Sequence, residues 1–365
     1  MERPVHSTYF PSPTVRLERL FGEQPVGIYA KLDNLQLTGS TKERTAASLL
    51  EGLLESGGLA TGGTVVESTS GNLGMALARQ CALLDLRFIA VVDERANQAA
   101  LDTMRAFGAQ VDLVKTPPDG NRLRARVERV KELLECEPGA VTTNQYANPS
   151  NPKAHADSTF PEICDALGAA PTKLFVATST TGTLLGCLNA VRALNVDTQV
   201  IAVDSAGSAL FGGTSGDRYL PGLGAGFETD LSLHAHPHAI HRIPEAQMVR
   251  GARLLARREG IMAGASTGAL VAAVGAELAC TSARLATSDP QATNETWAFL
   301  VHDGGAPYLP TVYNDDWVRT SLDYDPHTDI DLIRCNPFHK LAEQGRRLPD
   351  SLIPITEYVR PGVPA

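Results

Sequence analysis

Lys42 stands in the run Gly39-Ser40-Thr41-Lys42-Glu43-Arg44, at the mouth of a helical pattern. Ala46, Leu49, Leu50, Leu53 and Leu54 recur three and four apart until Gly57-Gly58 ends the run. The positive end of a helix disfavours an ammonium, so a lysine there is helped towards the neutral amine that attacks a carbonyl. Gly39 and Ser40 allow close backbone approach, and Thr41 is placed to cap the helix. The chemistry this suggests is a Schiff base between Lys42 and a carbonyl cofactor. The bland alternative is a solvated surface lysine. A second run, Glu67-Ser68-Thr69-Ser70-Gly71-Asn72, lies between a strand pattern and a helix pattern. Its hydroxyls and amide suit it to gripping an amino acid bonded to that cofactor.

Two further loops carry donors at helix starts. Ser179-Thr180-Thr181-Gly182-Thr183 follows an apolar strand, so its hydroxyls and N–H groups form a phosphate cradle at a helix N-terminus. It lacks the glycine spacing of a dinucleotide fingerprint and the Gly-Lys of a Walker loop, and alone it reads more readily as an ordinary capping loop. Gly264-Ala265-Ser266-Thr267-Gly268-Ala269 is in isolation another N-cap with small residues for helix packing; if a pyridine ring lies there, Ser266 can hydrogen-bond its nitrogen. A hydroxyl there leaves such a nitrogen neutral, which favours expulsion of a β-leaving group over racemisation or transamination. The run His234-Ala235-His236-Pro237-His238, with His241 beyond, invites a zinc reading, but Pro237 interrupts the strand and no cysteine or acid is near in sequence. We expect no metal.

The elements that must position these groups alternate. Strand patterns VGIYAKL, GTVVES, RFIAVVD, QVDLVK, LFVATS, QVIAVD, AIHRI and WAFLVHDG are interleaved with helical patterns after Lys42, after the Ser-Gly-Asn loop, over 98–107, RLRARVERVKELL, from Gly182, AQMVRGARLLARREG closed by Gly260, and from Ser266. This is the signature of an α/β fold with two doubly wound, mostly parallel sheet domains. We expect an N-terminal domain over 1–147, whose early residues cross to the other half, a C-terminal domain over 148–319, and a tail over 320–365. The length, 365 residues, fits two domains. A net charge of −9 without a Lys/Arg block argues against nucleic acid and anionic membranes. The start MERPVHSTYF has no apolar signal core, and six scattered cysteines without a CxxC pair fit reduced thiols in a cytoplasm.

Taken together, GSTKERTA, ESTSGNLG, NQYANPSNPKAH, STTGT, LPGLGA and GASTGA occur in the order and spacing of the fold type II pyridoxal-phosphate enzymes. The chain resembles the cysteine synthase and cystathionine β-synthase relatives (tryptophan synthase β-like fold) over about residues 10–318. It is most similar to the amine-using branch that makes N-(2-amino-2-carboxyethyl)-L-glutamate, a 2,3-diaminopropionate precursor for siderophores and peptide antibiotics.

The resemblance implies pyridoxal 5'-phosphate as cofactor, with Lys42 as Schiff-base lysine and general base, and Asn72 as partner of the cofactor's 3'-oxygen. It implies Thr69, Ser70, Gly71 and Gln145 as the grip on the substrate α-carboxylate, Ser179, Thr180, Thr181, Gly182 and Thr183 as the phosphate cradle, and Ser266 on the pyridine nitrogen. Tyr146 and Arg126 match positions near the substrate in the amine-using branch. It further implies small amino-acid substrates, O-phospho-L-serine and L-glutamate, a cytoplasmic homodimer, and a smaller domain closing over the site. Leu73 where threonine is usual, Ser179 and Thr181 where glycines are usual, and Gly305-Ala306-Pro307-Tyr308 where an arginine is usual are departures. A sulfide- or thiol-using enzyme and a catalytically silent binding subunit are the other readings.

Overall fold

A computed structural model describes residues 9–22, 24, 26–117, 122–285 and 295–326. The expected tail lies largely outside the described residues. Strands β1 (Thr14–Arg16) and β2 (Gly27–Lys31) open the chain. The 42–55 pattern forms helix α1 (Lys42–Glu55), which buries Ala46, Leu49 and Leu50. Then β3 (Thr64–Ser68), α2 (Asn72–Leu83), β4 (Arg87–Asp93), α3 (Gln98–Ala106), β5 (Gln110–Val114) and α4 (Arg122–Cys136) follow in strict alternation. All residues of β4 but the first are buried, as in a parallel sheet covered on both faces.

Residues 150–167, to which the sequence patterns assigned no element, form α5 (Ser150–Ala154), a wide π-type turn (His155–Thr159) and α6 (Phe160–Leu167). Pro152 and Pro161 break the apolar period there, which is why it reads poorly. The second half continues with β6 (Lys173–Ala177), α7 (Gly182–Leu194), β7 (Gln199–Ser205), α8 (Asp230–Leu233), β8 (Ala239–Ile243), α9 (Glu245–Glu259), α10 (Ala265–Leu285), β9 (Thr296–Leu300) and α11 (Asp315–Leu322).

Two sheets result. One is three-stranded, β3-β4-β5, all parallel. The other runs β1-β2-β9-β6-β7-β8, parallel throughout except for the β1–β2 pair. The first two strands of the chain therefore extend the sheet built by residues 173–300, and Val26, Ile28 and Ala30 pack in that sheet's core with Phe175, Val203 and Trp297.

A buried ionic network fastens this crossing. Arg44 of α1 grips Asp33 through Nε and Nη2, both 3.0 Å, and Glu162 of α6 at 2.6 and 2.7 Å. Lys31 reaches the same Glu162 at 2.6 Å. Burial alone would raise the Asp33 carboxyl, but the Arg44 guanidinium overrides it and brings its pKa down to about 2.

Candidate active site

The turn before α1 is docked onto the segment after β9. Thr41 N donates to His302 O at 2.8 Å, Gly304 N donates to Gly39 O at 3.0 Å, and Ser40 bridges Asp303. Thr41 occupies the position before the helix, but its backbone is helical and its hydroxyl makes no cap bond, which corrects the expected capping role. Its Oγ1 is buried without a partner among the described residues, as are Ser40 Oγ and Ser68 Oγ. Lys42 is half-buried. Burial lowers its ammonium pKa below the ordinary lysine value, and the Asp303 carboxylate opposes that shift.

Asp303 is the residue that sequence reasoning missed. Only 4% exposed, it accepts from Asn72 Nδ2 at 2.8 Å, from Tyr308 OH at 2.7 Å and from Ser266 Oγ at 3.5 Å. It thus joins Asn72, Ser266 and the Lys42 turn, three groups drawn from widely separated stretches. Burial raises its pKa, while the tyrosine, the amide and Lys42 pull the other way. The available signal was an acidic residue directly after the apolar run WAFLVH, where a carboxylate must be buried and therefore partnered. A carboxylate thus stands beside Ser266, so the surroundings of that hydroxyl are not neutral as the serine alone suggested. Tyr308, the part of the departing late motif that survives, is buried and spends its hydroxyl on Asp303.

The 179–183 run turns from β6 into α7 with Thr181 at φ +72°, a left-handed backbone unusual outside glycine. The first N–H groups of α7 have no carbonyl one turn back, so they face this turn as donors. Ser179 Oγ donates to Gly224 O at 3.2 Å, and Asn151 Nδ2 donates to Thr180 Oγ1 at 3.2 Å and to Gln145 O at 2.7 Å. Thr183 Oγ1 lies 3.2 Å from His155 Nε2, which also meets Thr45 Oγ1 of α1 at 3.2 Å. One buried imidazole thereby spans the Lys42 helix and α7. Burial, with Lys42 nearby, holds its pKa well below that of a free histidine.

Gln145 is delivered by a different buried acid. Glu67 accepts from Thr143 Oγ1, from Thr142 Oγ1 at 3.1 Å and from Asn144 N at 3.0 Å, fixing Asn144 at φ +48°. Burial raises the Glu67 pKa against these donors. Thr69 is buried, with its N–H on Val91 O at 3.1 Å, and Ser70 is half-buried beside Gly71. Arg126 of α4 lies 3.3 Å from Asp93 and donates to Ser70 Oγ at 3.5 Å. Tyr146 meets Phe227 edge to face at 5.2 Å.

A half-buried amine of lowered pKa, a strand-to-helix turn rich in donors and a buried polar floor of Asn72, Asp303 and Ser266 fit a phosphorylated carbonyl compound with a ring nitrogen. The model for "Pyridoxal-phosphate dependent enzyme" matches residues 5–287. The chain belongs to the pyridoxal-phosphate dependent enzyme family. It is 37% identical to N-(2-amino-2-carboxyethyl)-L-glutamate synthase of Ralstonia nicotianae over 308 residues, 84% of this chain and 88% of that one. It is 36% identical to the protein of the same name from Cupriavidus metallidurans over 313 residues, with the same coverage of each. Among solved structures it resembles the O-acetylserine dependent cystathionine β-synthase of Helicobacter pylori, with a TM-score of 0.73 and 26% identity over 86% of this chain and 100% of that one. The expected fold type and cofactor therefore hold for this pyridoxal-phosphate enzyme. Among the described residues no three His, Cys, Asp or Glu side chains are grouped to hold a metal. His234, His236 and His238 are exposed, while His241 is buried 3.6 Å from Glu277.

Proposed function

We propose that this enzyme replaces the phosphate of O-phospho-L-serine with the α-amine of L-glutamate, giving N-(2-amino-2-carboxyethyl)-L-glutamate and inorganic phosphate for 2,3-diaminopropionate synthesis. The observation that carries the reading is the meeting of Lys42, Asn72 and Ser266 around Asp303, with the Arg126–Ser70 contact at the edge of the grip loop. The two relatives named for this product support the choice of acceptor.

Pyridoxal phosphate, when bound, supplies an aldehyde to which amines bond covalently and a conjugated ring that takes up the electron pair left by a departing proton. The chain's own residues do the rest. Thr69, Ser70, Gly71 and Gln145 hold the donor's α-carboxylate. Lys42 removes the α-proton and returns one to the same carbon after the new C–N bond has formed. Proton transfer by a positioned group of this kind is worth roughly 10²–10⁴-fold. Arg126 offers a planar guanidinium for the leaving phosphate, and Tyr146, edge to face with Phe227, lies within reach of its charge. Ser179, Thr180, Thr181, Gly182 and Thr183 hold the cofactor's phosphate, Asn72 its 3'-oxygen and Ser266 its ring nitrogen.

Mass spectrometry of products from phosphoserine or acetylserine, each offered glutamate, other amines and sulfide, tests this reading. Phosphoserine with glutamate is the expected productive pair. Product with sulfide alone would replace it with a cysteine synthase-type reaction, to which the structural likeness to the cystathionine β-synthase lends weight. Resemblance to the family supports a cytoplasmic homodimer of two α/β domains divided near residue 148, and light scattering on the purified protein checks the dimer.

A further inference from the structure

Arg218 is a guanidinium that the reaction above leaves unused. It sits in the loop after β7, whose residues 214–217 and Tyr219 are exposed. Its Nη1 donates to Leu223 O at 3.0 Å, and a Cβ added at Gly224 would lie 2.6 Å from that nitrogen. Gly224, at φ +75°, is thus the flat surface on which the arginine lies. The same glycine holds the rim of the phosphate cradle, since Gly224 N donates to Thr178 O at 2.7 Å and Ser179 Oγ donates to Gly224 O at 3.2 Å. Arg218 is therefore tied to the cradle by a single turn of chain.

Arg126 has Asp93 at 3.3 Å, whereas Arg218 forms no ion pair among the described residues and its Nε is buried without a hydrogen-bond partner. Glu245 feels its charge from beyond ion-pair distance, and Glu245 Oε1 accepts from the N–H groups of Tyr219 and Leu220 at 2.8 and 2.6 Å. A partly buried guanidinium left unpaired is costly, and a carboxylate arriving in the cleft offsets that cost through charge-assisted bonds. The two arginines come from opposite halves of the chain, and both charges reach the Tyr146 phenol. The donor's α-carboxylate already has Thr69, Ser70 and Gln145. That leaves Arg218, in its exposed loop, for the acceptor.

We propose that Arg218 determines acceptor specificity by binding the side-chain carboxylate of an acidic acceptor amino acid. This rests on the β-replacement reading above. The test measures steady-state kinetics of holoenzyme with phosphoserine and either glutamate or glutamine, for wild type, Arg218→Gln and Arg218→Lys. Donor binding is followed separately through the cofactor's absorbance. Loss of one charge-assisted contact should raise KM for glutamate about 10- to 100-fold in Arg218→Gln and erase the preference for glutamate over glutamine. Arg218→Lys should recover part of both, and the apparent donor affinity should shift less than threefold. A glutamate KM within threefold of wild type in Arg218→Gln overturns the assignment. So does a rise in donor KM in place of acceptor KM, which would give Arg218 to the leaving group. If Arg218→Gln does not fold by circular dichroism, an unchanged glutamate-to-glutamine ratio in Arg218→Lys overturns it equally. Wild-type enzyme that makes product from sulfide and none from glutamate overturns the glutamate-acceptor reading on which this rests, before any variant is made.

Discussion

Asn72 Nδ2 lies 2.8 Å from Asp303 Oδ2, a bond between the first turn of α2 and the segment after β9, 231 positions apart in sequence. The same carboxylate opposes the lowering of the Lys42 pKa. Replacing it with an amide of equal size should therefore move the Lys42 transition further down. In Asp303→Asn, the pH midpoint for covalent capture of pyridoxal phosphate by Lys42, read by absorbance and by peptide mapping after borohydride reduction, should fall below that of wild type. A midpoint unchanged or raised would show that the carboxylate does not act on the lysine.

Gly182 marks a contact that admits no Cβ. An added methyl would collide with the Asn151 carboxamide, the group that bonds both Thr180 Oγ1 and Gln145 O. Gly182→Ala should lower stability by about 1–3 kcal/mol through overpacking. It should also weaken pyridoxal phosphate binding about tenfold or more, since the displaced amide disturbs the cradle and the Gln145 segment together. Thermal unfolding of the apoprotein and a cofactor titration measure the two effects apart. Lost stability with unaltered cofactor affinity would count against the coupling.

Glu67 is a buried acid whose pKa is raised, so its protonated form is the one the folded state favours. A raised carboxylate contributes stability below its unfolded pKa and loses it as pH climbs through its folded pKa. Glu67→Gln keeps an oxygen for Thr142, Thr143 and Asn144 and carries no charge to desolvate. It should remain within about 1 kcal/mol of wild type at pH 7 and flatten the pH dependence above pH 5. Glu67→Ala strands those three donors and should cost about 1–3 kcal/mol per unsatisfied buried group, with a rise in donor KM as Gln145 loses its anchor. Denaturant melts between pH 5 and 8 supply the comparison.

Asp33 carries the opposite sign. Its pKa is depressed to about 2, so its contribution is present above the ordinary carboxylate range and is lost as pH falls through about 2. Removing its partner leaves two carboxylates, Asp33 and Glu162, short of a cation. Arg44→Met should cost about 3–5 kcal/mol at pH 7, a deficit that narrows as pH falls and the two carboxylates protonate, as read from denaturant melts followed by circular dichroism at neutral and at acid pH. A deficit that does not change with pH would argue that the two carboxylates are not its source.

The chain's local order determined a good deal by itself. Short apolar runs placed the strands and period-3.6 patterns the helices from Gly27 to Val114 and, apart from α8, from Lys173 to Leu285, because a strand covered on both faces reads as a continuous apolar run and a helix buries one stripe. Small-residue runs at strand ends marked where donors gather, since hydroxyls and glycines at a helix start leave backbone N–H groups to face a ligand. Residues 150–167 were illegible because their prolines interrupt the period and their order comes from contacts with α1 and α7. Tertiary structure alone decided that Asn72, Ser266 and the Lys42 turn share Asp303, that Glu67 shapes the approach of Gln145, and that Arg218 lies against Gly224 at the rim of the cradle. The physical reason is that a buried charge is defined by its partners. Those partners come from stretches tens to hundreds of residues away, whose meeting is set by the sheet order rather than by any local pattern.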